Sequence, residues 1–172
     1  ITPQNPTGEQ VLDGSSRVDG IALGANGQIT PQLSITANYT YLDSKILQSV
    51  ANGVVDPLAG ATLTNVPKHS GSFFATYSFP FGLRAGYGFT YQGKFDLNSG
   101  TGAAVIYQVK DYLIHNAFLA YDVSDRLSLQ LNVKNFTDKL YFTGVRNGAT
   151  TNAQWARVGE RAAAVLTLGY NF

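Results

Sequence analysis

The chain has 172 residues, enough for one domain, and its twelve Lys and Arg balance eleven Asp and Glu to a net charge of +1. That balance gives no electrostatic reason to expect a nucleic-acid partner. There is no Cys, which removes disulfides and thiolate metal sites, while ten Tyr, ten Phe, one Trp and eighteen Gly make the chain rich in rings and glycine.

The opening Ile1-Thr2-Pro3-Gln4-Asn5-Pro6 has no Met, no basic start and no apolar run, so it does not read as a signal peptide. No stretch approaches the roughly 18 apolar residues of a membrane helix, and helical periodicity is missing. What recurs is period two, in segments of about ten residues. The first puts Ile21, Leu23 and Ala25 on one face, against Ala22, Gly24 and Asn26. Thr30-Pro31-Gln32 turns the chain, and Leu33, Ile35, Ala37, Tyr39 and Tyr41 then oppose Ser34, Thr36, Asn38 and Thr40. A long polar stretch from about Ser44 to Val66 leads to Phe73, Ala75, Tyr77 and Phe79, opposed by Ser72, Phe74, Thr76 and Ser78. Pro80-Phe81-Gly82 is a tight turn. Leu83, Ala85, Tyr87, Phe89 and Tyr91 oppose Arg84, Gly86, Gly88, Thr90 and Gln92, and a second long loop runs from about Gly93 to Gln108. In the fifth strand Leu113, Ala117, Leu119 and Tyr121 share a face, but the other face (Tyr112, Ile114, Asn116, Phe118) is hardly more polar. After a short turn from Asp122 to Arg126, Leu127, Leu129, Leu131 and Val133 oppose Ser128, Gln130, Asn132 and Lys134. A third long loop spans about Thr137 to Val158. The seventh strand sets Leu166, Leu168, Tyr170 and Phe172 against Thr167, Gly169 and Asn171.

Short and long connections alternate throughout, as in transmembrane barrels with short periplasmic turns and long outer loops. The apolar face from Leu83 to Tyr91 spans eight steps of roughly 3.3 Å, which tilted by about 40° gives on the order of 20 Å, close to the apolar band of such barrels. The rings fall into two belts. Tyr39, Tyr41, Phe89, Tyr91 and Tyr141 lie toward the loops, and Phe79, Phe81, Tyr121, Tyr170 and Phe172 toward the turns. Amphipathic rings favour both membrane–water interfaces. A soluble sheet would instead use these rings as cross-strand core pairs. The expected fold class is therefore all-β, an antiparallel transmembrane β-barrel. Seven strands is an odd number, and bacterial single-chain barrels have even ones. A barrel must also be exported, so the chain is expected to begin inside a longer protein.

Several segments resemble a known family. Asn132-Val133-Lys134-Asn135-Phe136-Thr137-Asp138-Lys139-Leu140-Tyr141 is similar to a segment near the end of TonB-dependent outer-membrane receptors. Gly159-Glu160-Arg161 and the alternating run to Phe172 resemble their closing strand, Val66-Pro67-Lys68-His69 an earlier strand entry, and Arg17-Val18-Asp19-Gly20-Ile21 a strand opening. Asp19 precedes Gly20 where the acid more often follows, and Lys110-Asp111-Tyr112 departs from the usual start of the fifth strand. The resemblance implies that residues 1–172 are the C-terminal portion of a 22-stranded barrel, about seven strands, with plug domain and N-terminal strands absent. It also implies location in the bacterial outer membrane and uptake of a ferric siderophore, with the catecholate type fitting best. The expected partners are the siderophore, TonB through the plug and its box, the barrel-assembly machinery through the C-terminal strand, and outer-membrane lipid. No catalysis and no cofactor are expected.

Anionic, aromatic-ringed chelates suit Arg with Trp or Tyr. In the last loop Arg146, Trp155 and Arg157 accompany Tyr141 and Phe142, the best local cluster for ligand contact, with ordinary loop packing as the alternative. Arg84 and Lys134 face the lumen, where pairing with plug or wall carboxylates is expected. His69 and His115 are lone histidines without the spacing of a metal site. Gly100-Thr101-Gly102 completes no phosphate-binding loop, and the sequons at Asn38 and Asn135 fall in a bacterial context that does not glycosylate them by default. Two other readings make different predictions. A passive channel or small structural barrel conducts without an energy partner, and a soluble β-sandwich module stays in water without detergent.

Overall fold

The computed structural model describes residues 14–50, 55–100, 105–146 and 155–172, and among these every regular element is a strand. Seven long strands form one sheet: β1 (Ser15–Gln28), β2 (Leu33–Gln48), β3 (His69–Ser78), β4 (Leu83–Gln92), β7 (Tyr112–Asp122), β8 (Leu127–Lys134) and β11 (Ala163–Tyr170). They lie in chain order and every neighbouring pair is antiparallel. Two small ribbons stand in the long loops, β5 (Phe95–Asp96) with β6 (Gln108–Val109) and β9 (Phe142–Arg146) with β10 (Trp155–Val158).

Cross-strand register joins the apolar residues into one surface. The row Ala25, Ala37, Phe73, Phe89 and His115 runs across five strands, each residue directly opposite the next. Lower rows put Leu119 opposite Leu131, Leu131 opposite Leu166, and Leu129 opposite Leu168. Register also decides the facing of β7. Leu83 pairs with Tyr121, Ala85 with Leu119 and Tyr91 with Leu113, which assigns the odd-numbered residues of β7 to the apolar face and adds His115 to it. A soluble sheet would cover such a face. Here it stays open, with Ile21, Leu23, Leu166 and Leu168 all more than 60% exposed. Buried residues concentrate instead at the loop end, where Ile46, Ala61, Phe95, Val109, Tyr112, Ser44, Ser49 and Asn135 pack.

The polar face carries a pair of stacked rings. Phe74 and Phe118 lie almost parallel, 4° apart with centroids at 6.0 Å, and lean over β4 from its two neighbours. Beneath them are Gly88 and Gly86, where an added Cβ would enter the Phe74 and Phe118 rings respectively. Glycine at these two positions is what lets both rings lie on the wall.

The turn ends close tightly. Leu33 N–H donates to Thr30 O and Oγ1, Phe79 N–H to Leu83 O at 2.7 Å, and Val123 N–H to Leu127 O at 2.9 Å. At the loop end, β1 and β2 pair out to Ser15 and Gln48. The strand thus enters the stretch read as loop from Ser44, because register with β1 continues through Ser44, Lys45 and Ile46 despite their mixed polarity. The two ribbons are a second difference from the sequence pattern, which showed only loops there. Strands of two to five residues are too short to establish a period.

Candidate functional site: the clefts at the loop end

The loops fold onto the strand tops, and two clefts lie there among the described residues. The first, about 460 Å³, is lined by Lys68, His69, Tyr91, Lys94, Asp96 and Asp111 among others. The second, about 600 Å³, has Lys110, Tyr112, Lys139, Tyr141, Phe142 and Val145 in its wall. The β5–β6 ribbon separates them, with Gln108 and Asp111 lining both. Asp96 anchors that ribbon by accepting from Gln108 Nε2 at 2.7 Å and from Thr62 Oγ1 at 2.7 Å. The preceding loop is tied by Asp56, which accepts from the Ser49 hydroxyl, from Ser49 N–H at 2.5 Å and from Leu58 N–H at 2.9 Å. The Ser49 hydroxyl is the main reason its carboxyl sits below the usual range.

The second cleft rests on a clasp between the start and the return of the last loop. Asn135, 2% exposed, has φ of 43° and turns the chain after β8. Its Nδ2 donates to Lys139 O and to Glu160 O, each at 2.9 Å, and its Oδ1 accepts from Lys139 N–H at 3.0 Å. Asp138 accepts from Arg161 through both Nε, at 2.7 Å, and Nη2, and from Ala162 N–H at 3.0 Å. The Arg161 hydrogen bonds first, then the Ala162 N–H, hold the Asp138 carboxyl well below the ordinary carboxylate range. The hydrogen bonds to Asp138, and then its charge, raise the Arg161 guanidinium above its ordinary value. Tyr141 lies across Gly159, where a Cβ would fall inside its ring, and packs on Tyr112 with centroids 4.7 Å apart.

The sequence cluster separates into two groups. Trp155 and Arg157 are together at the outer ribbon, with the Arg157 guanidinium 6.0 Å from the Trp155 ring centroid. Trp155 pairs with Arg146 and Arg157 with Gly144, so these positions share one ribbon face; the Arg146 side chain lies outside the described residues. Tyr141 is not among them. It belongs to the cleft wall with Tyr112, while Val145 and Ala156 turn the other ribbon face to the same cleft. Lys110, Tyr112 and Lys139 were not foreseen as lining residues. Tyr112 alone left a signal, standing at the loop end of the polar-face series in β7.

Lys134, His69 and His115, also singled out by the sequence, have partners. Lys134 Nζ is 3.1 Å from Glu160 Oε2, a carboxylate on the return of the last loop. His69 Nδ1 lies 2.8 Å from the Tyr39 hydroxyl, and His115 Nδ1 2.8 Å from that of Tyr87. Among the described residues no group of three or more His, Cys, Asp or Glu is placed to hold a metal. Tyr39, Tyr41, Phe89 and Tyr91 lie toward the loop ends of their strands, and Phe79, Tyr121, Tyr170 and Phe172 toward the turn ends. Gly100-Thr101-Gly102 falls largely outside the described residues.

A one-faced apolar sheet with short turns at one end and elaborated loops at the other defines an outer-membrane β-barrel wall. Comparison with known proteins narrows the class. The family model for the TonB dependent receptor-like β-barrel matches residues 1–136, and the chain belongs to this family. It is 33% identical to an uncharacterized TonB-dependent receptor of Haemophilus influenzae, over 98% of this chain and 50% of that protein. It is also 33% identical to the probable TonB-dependent siderophore receptor PiuA of Acinetobacter baumannii, over 92% of this chain and 21% of that one. The crystal structure of PiuA superposes with a TM-score of 0.81 at 31% identity, covering 98% of this chain and 24% of PiuA. The ferric-catecholate import receptor Fiu of Escherichia coli, in its closed form, gives 0.79 at 25% identity, covering 99% and 23%. The chain thus spans from about a fifth to half of the length of these relatives. It is part of a barrel of the bacterial outer membrane, and its relatives are named as receptors.

Proposed function

We propose that this chain is the C-terminal part of the barrel of a receptor that imports a ferric siderophore, with the plug domain and the earlier strands supplied by the rest of the polypeptide. The observation that carries this reading is the second cleft. Two lysines, Lys110 and Lys139, stand at a wall of Tyr112, Tyr141 and Phe142. Ammonium groups attract an anionic chelate and the rings stack on its aromatic donors, which favours the catecholate type. Trp155 and Arg157, with Arg146, give the outer ribbon a second aromatic and cationic contact for the same ligand.

The apolar face meets lipid, and the rings at its two ends lie at the two interfaces. The polar face lines the lumen. The wall binds and guides a ligand without making or breaking a bond, so the reading includes no catalytic step. Release inward is driven by TonB acting on the plug, and the C-terminal strand presents the chain to the barrel-assembly machinery. The supporting names are those of the relatives, a siderophore receptor and a ferric-catecholate import receptor.

The test is uptake of radiolabelled ferric catecholate by cells whose sole receptor is the full-length protein. Uptake that requires TonB and is lost when Lys110 and Lys139 are both changed to Gln supports the reading. Uptake that persists without TonB makes the protein a passive channel.

A further inference from the structure

Above the loop-side rings, the outer face of the β1–β2 hairpin becomes charged. Arg17 stands directly opposite Lys45 and Asp19 opposite Asp43; the next pairs down are Ile21 with Tyr41 and Leu23 with Tyr39. All eight residues belong to one face, because side chains alternate along a strand. The charges therefore stand on the outer wall, at the level where hydrocarbon gives way to lipid headgroups. The opposite face at this height is covered by the following loop. Ser44 and Ile46 are buried, Ile46 N–H donates to Ala61 O and Gly60 N–H to Ile46 O, both at 2.8 Å.

Like charges directly opposed across an antiparallel pair are destabilising unless something neutralises them. Ion pairs within the hairpin and from Lys68 do this for the acidic pair, and in part for the basic pair. Arg17 Nε lies 2.6 Å from Asp19, while Lys45 Nζ and Lys68 Nζ lie 3.7 Å and 3.5 Å from Asp43. Three cations serve two carboxylates, and Lys45 is held loosely. The basic pair forms the outermost charged row of this face, with Leu47 beyond it. It lines a shallow hollow of about 210 Å³ with Asp19, Asp43 and Leu47, and the Arg17 and Lys45 side chains are 66% and 60% exposed. An anion seated between guanidinium and ammonium relieves their repulsion, and guanidinium matches phosphate oxygens two at a time.

We propose that Arg17 and Lys45, with Lys68 beside them, bind a phosphate of an outer-leaflet lipid headgroup, while Ile21, Leu23, Tyr39 and Tyr41 seat the attached chains. This rests on the outer-membrane placement of the wall and is independent of which nutrient the receptor carries.

Native mass spectrometry of the full-length receptor in detergent, titrated with lipid A, with dephosphorylated lipid A and with inorganic phosphate, tests it. Each cation removed is expected to weaken lipid A binding about fivefold, so Arg17→Gln with Lys45→Gln loses about twenty-five-fold. Dephosphorylated lipid A binds the wild type and the double variant alike. Unchanged affinity in the double variant overturns the proposal, as does equal binding of the two lipids. Full displacement of lipid A by inorganic phosphate also overturns it, because the site is then one for free anions. If the double variant does not assemble, Lys68→Gln, which precedes β3, gives the same reading through its own fivefold loss. Ferric-chelate uptake by the double variant separates this site from the transport reading, since the two can fail independently.

Discussion

Replacing Asn135 isolates what holds the last loop to the wall. The side chain makes three hydrogen bonds, to Lys139 O, Glu160 O and Lys139 N–H, at 2.9 to 3.0 Å in a buried setting. At about 1 kcal/mol each, their loss costs about 3 kcal/mol. The backbone adds a separate cost. With φ at 43°, a position that Asn tolerates, Ala loses roughly another 1 kcal/mol whereas Gly does not. Asn135→Ala is thus expected to destabilise by about 4 kcal/mol and Asn135→Gly by about 3 kcal/mol. Urea unfolding of the full-length receptor in micelles, followed by the mobility shift of the folded barrel on gels, measures both. An alanine variant as stable as wild type refutes the clasp. A glycine variant weaker than the alanine variant refutes the backbone argument.

The remaining predictions concern the wall, the pH response and the ligand. Gly86→Val or Gly88→Val forces Phe118 or Phe74 off the sheet and costs about 1–3 kcal/mol by overpacking, readable in the same unfolding assay; unchanged unfolding means the rings do not rest there. Asp138 has a lowered folded pKa, so its contribution is complete above the ordinary carboxylate range and fades as pH falls through the depressed folded value. Asp138→Asn should therefore flatten the acid limb of a stability–pH curve without adding a slope near neutrality, and an unchanged acid limb contradicts the assignment. Trp155→Ala with Arg157→Ala should weaken ferric-catecholate binding about tenfold with stability intact, from lost stacking and charge. Tyr141→Ala should lower stability as well, because its ring covers Gly159 and packs on Tyr112.

Much of the wall was legible in the sequence because one physical rule, alternation between two solvents, acts on each long strand. Leu33 to Tyr41 and Leu83 to Tyr91 each show it without help from neighbours. The fifth strand did not, since Tyr112, Ile114 and Phe118 make its inner face apolar. Its facing became clear only through pairing with β4 and β8, which no single segment contains. The loop end was read least well. Clefts there are made by residues distant in sequence, such as Lys110 and Lys139 with Tyr141, and by ribbons too short to carry a period. Proximity in the chain grouped Tyr141 with Trp155 and Arg157, but the Asn135 turn keeps Tyr141 against the wall while β9 and β10 carry the others outward. His69 and His115 looked solitary because their Tyr partners sit on neighbouring strands.

Nitroxide labels placed at Leu166→Cys and Thr167→Cys in the full-length receptor, reconstituted in vesicles, probe the two faces of β11 most directly. Relaxation by oxygen, which concentrates in hydrocarbon, should be strong at 166 and weak at 167, with a water-soluble nickel chelate giving the reverse order. Equal access of the chelate to both labels would mean that the apolar face is not in contact with lipid.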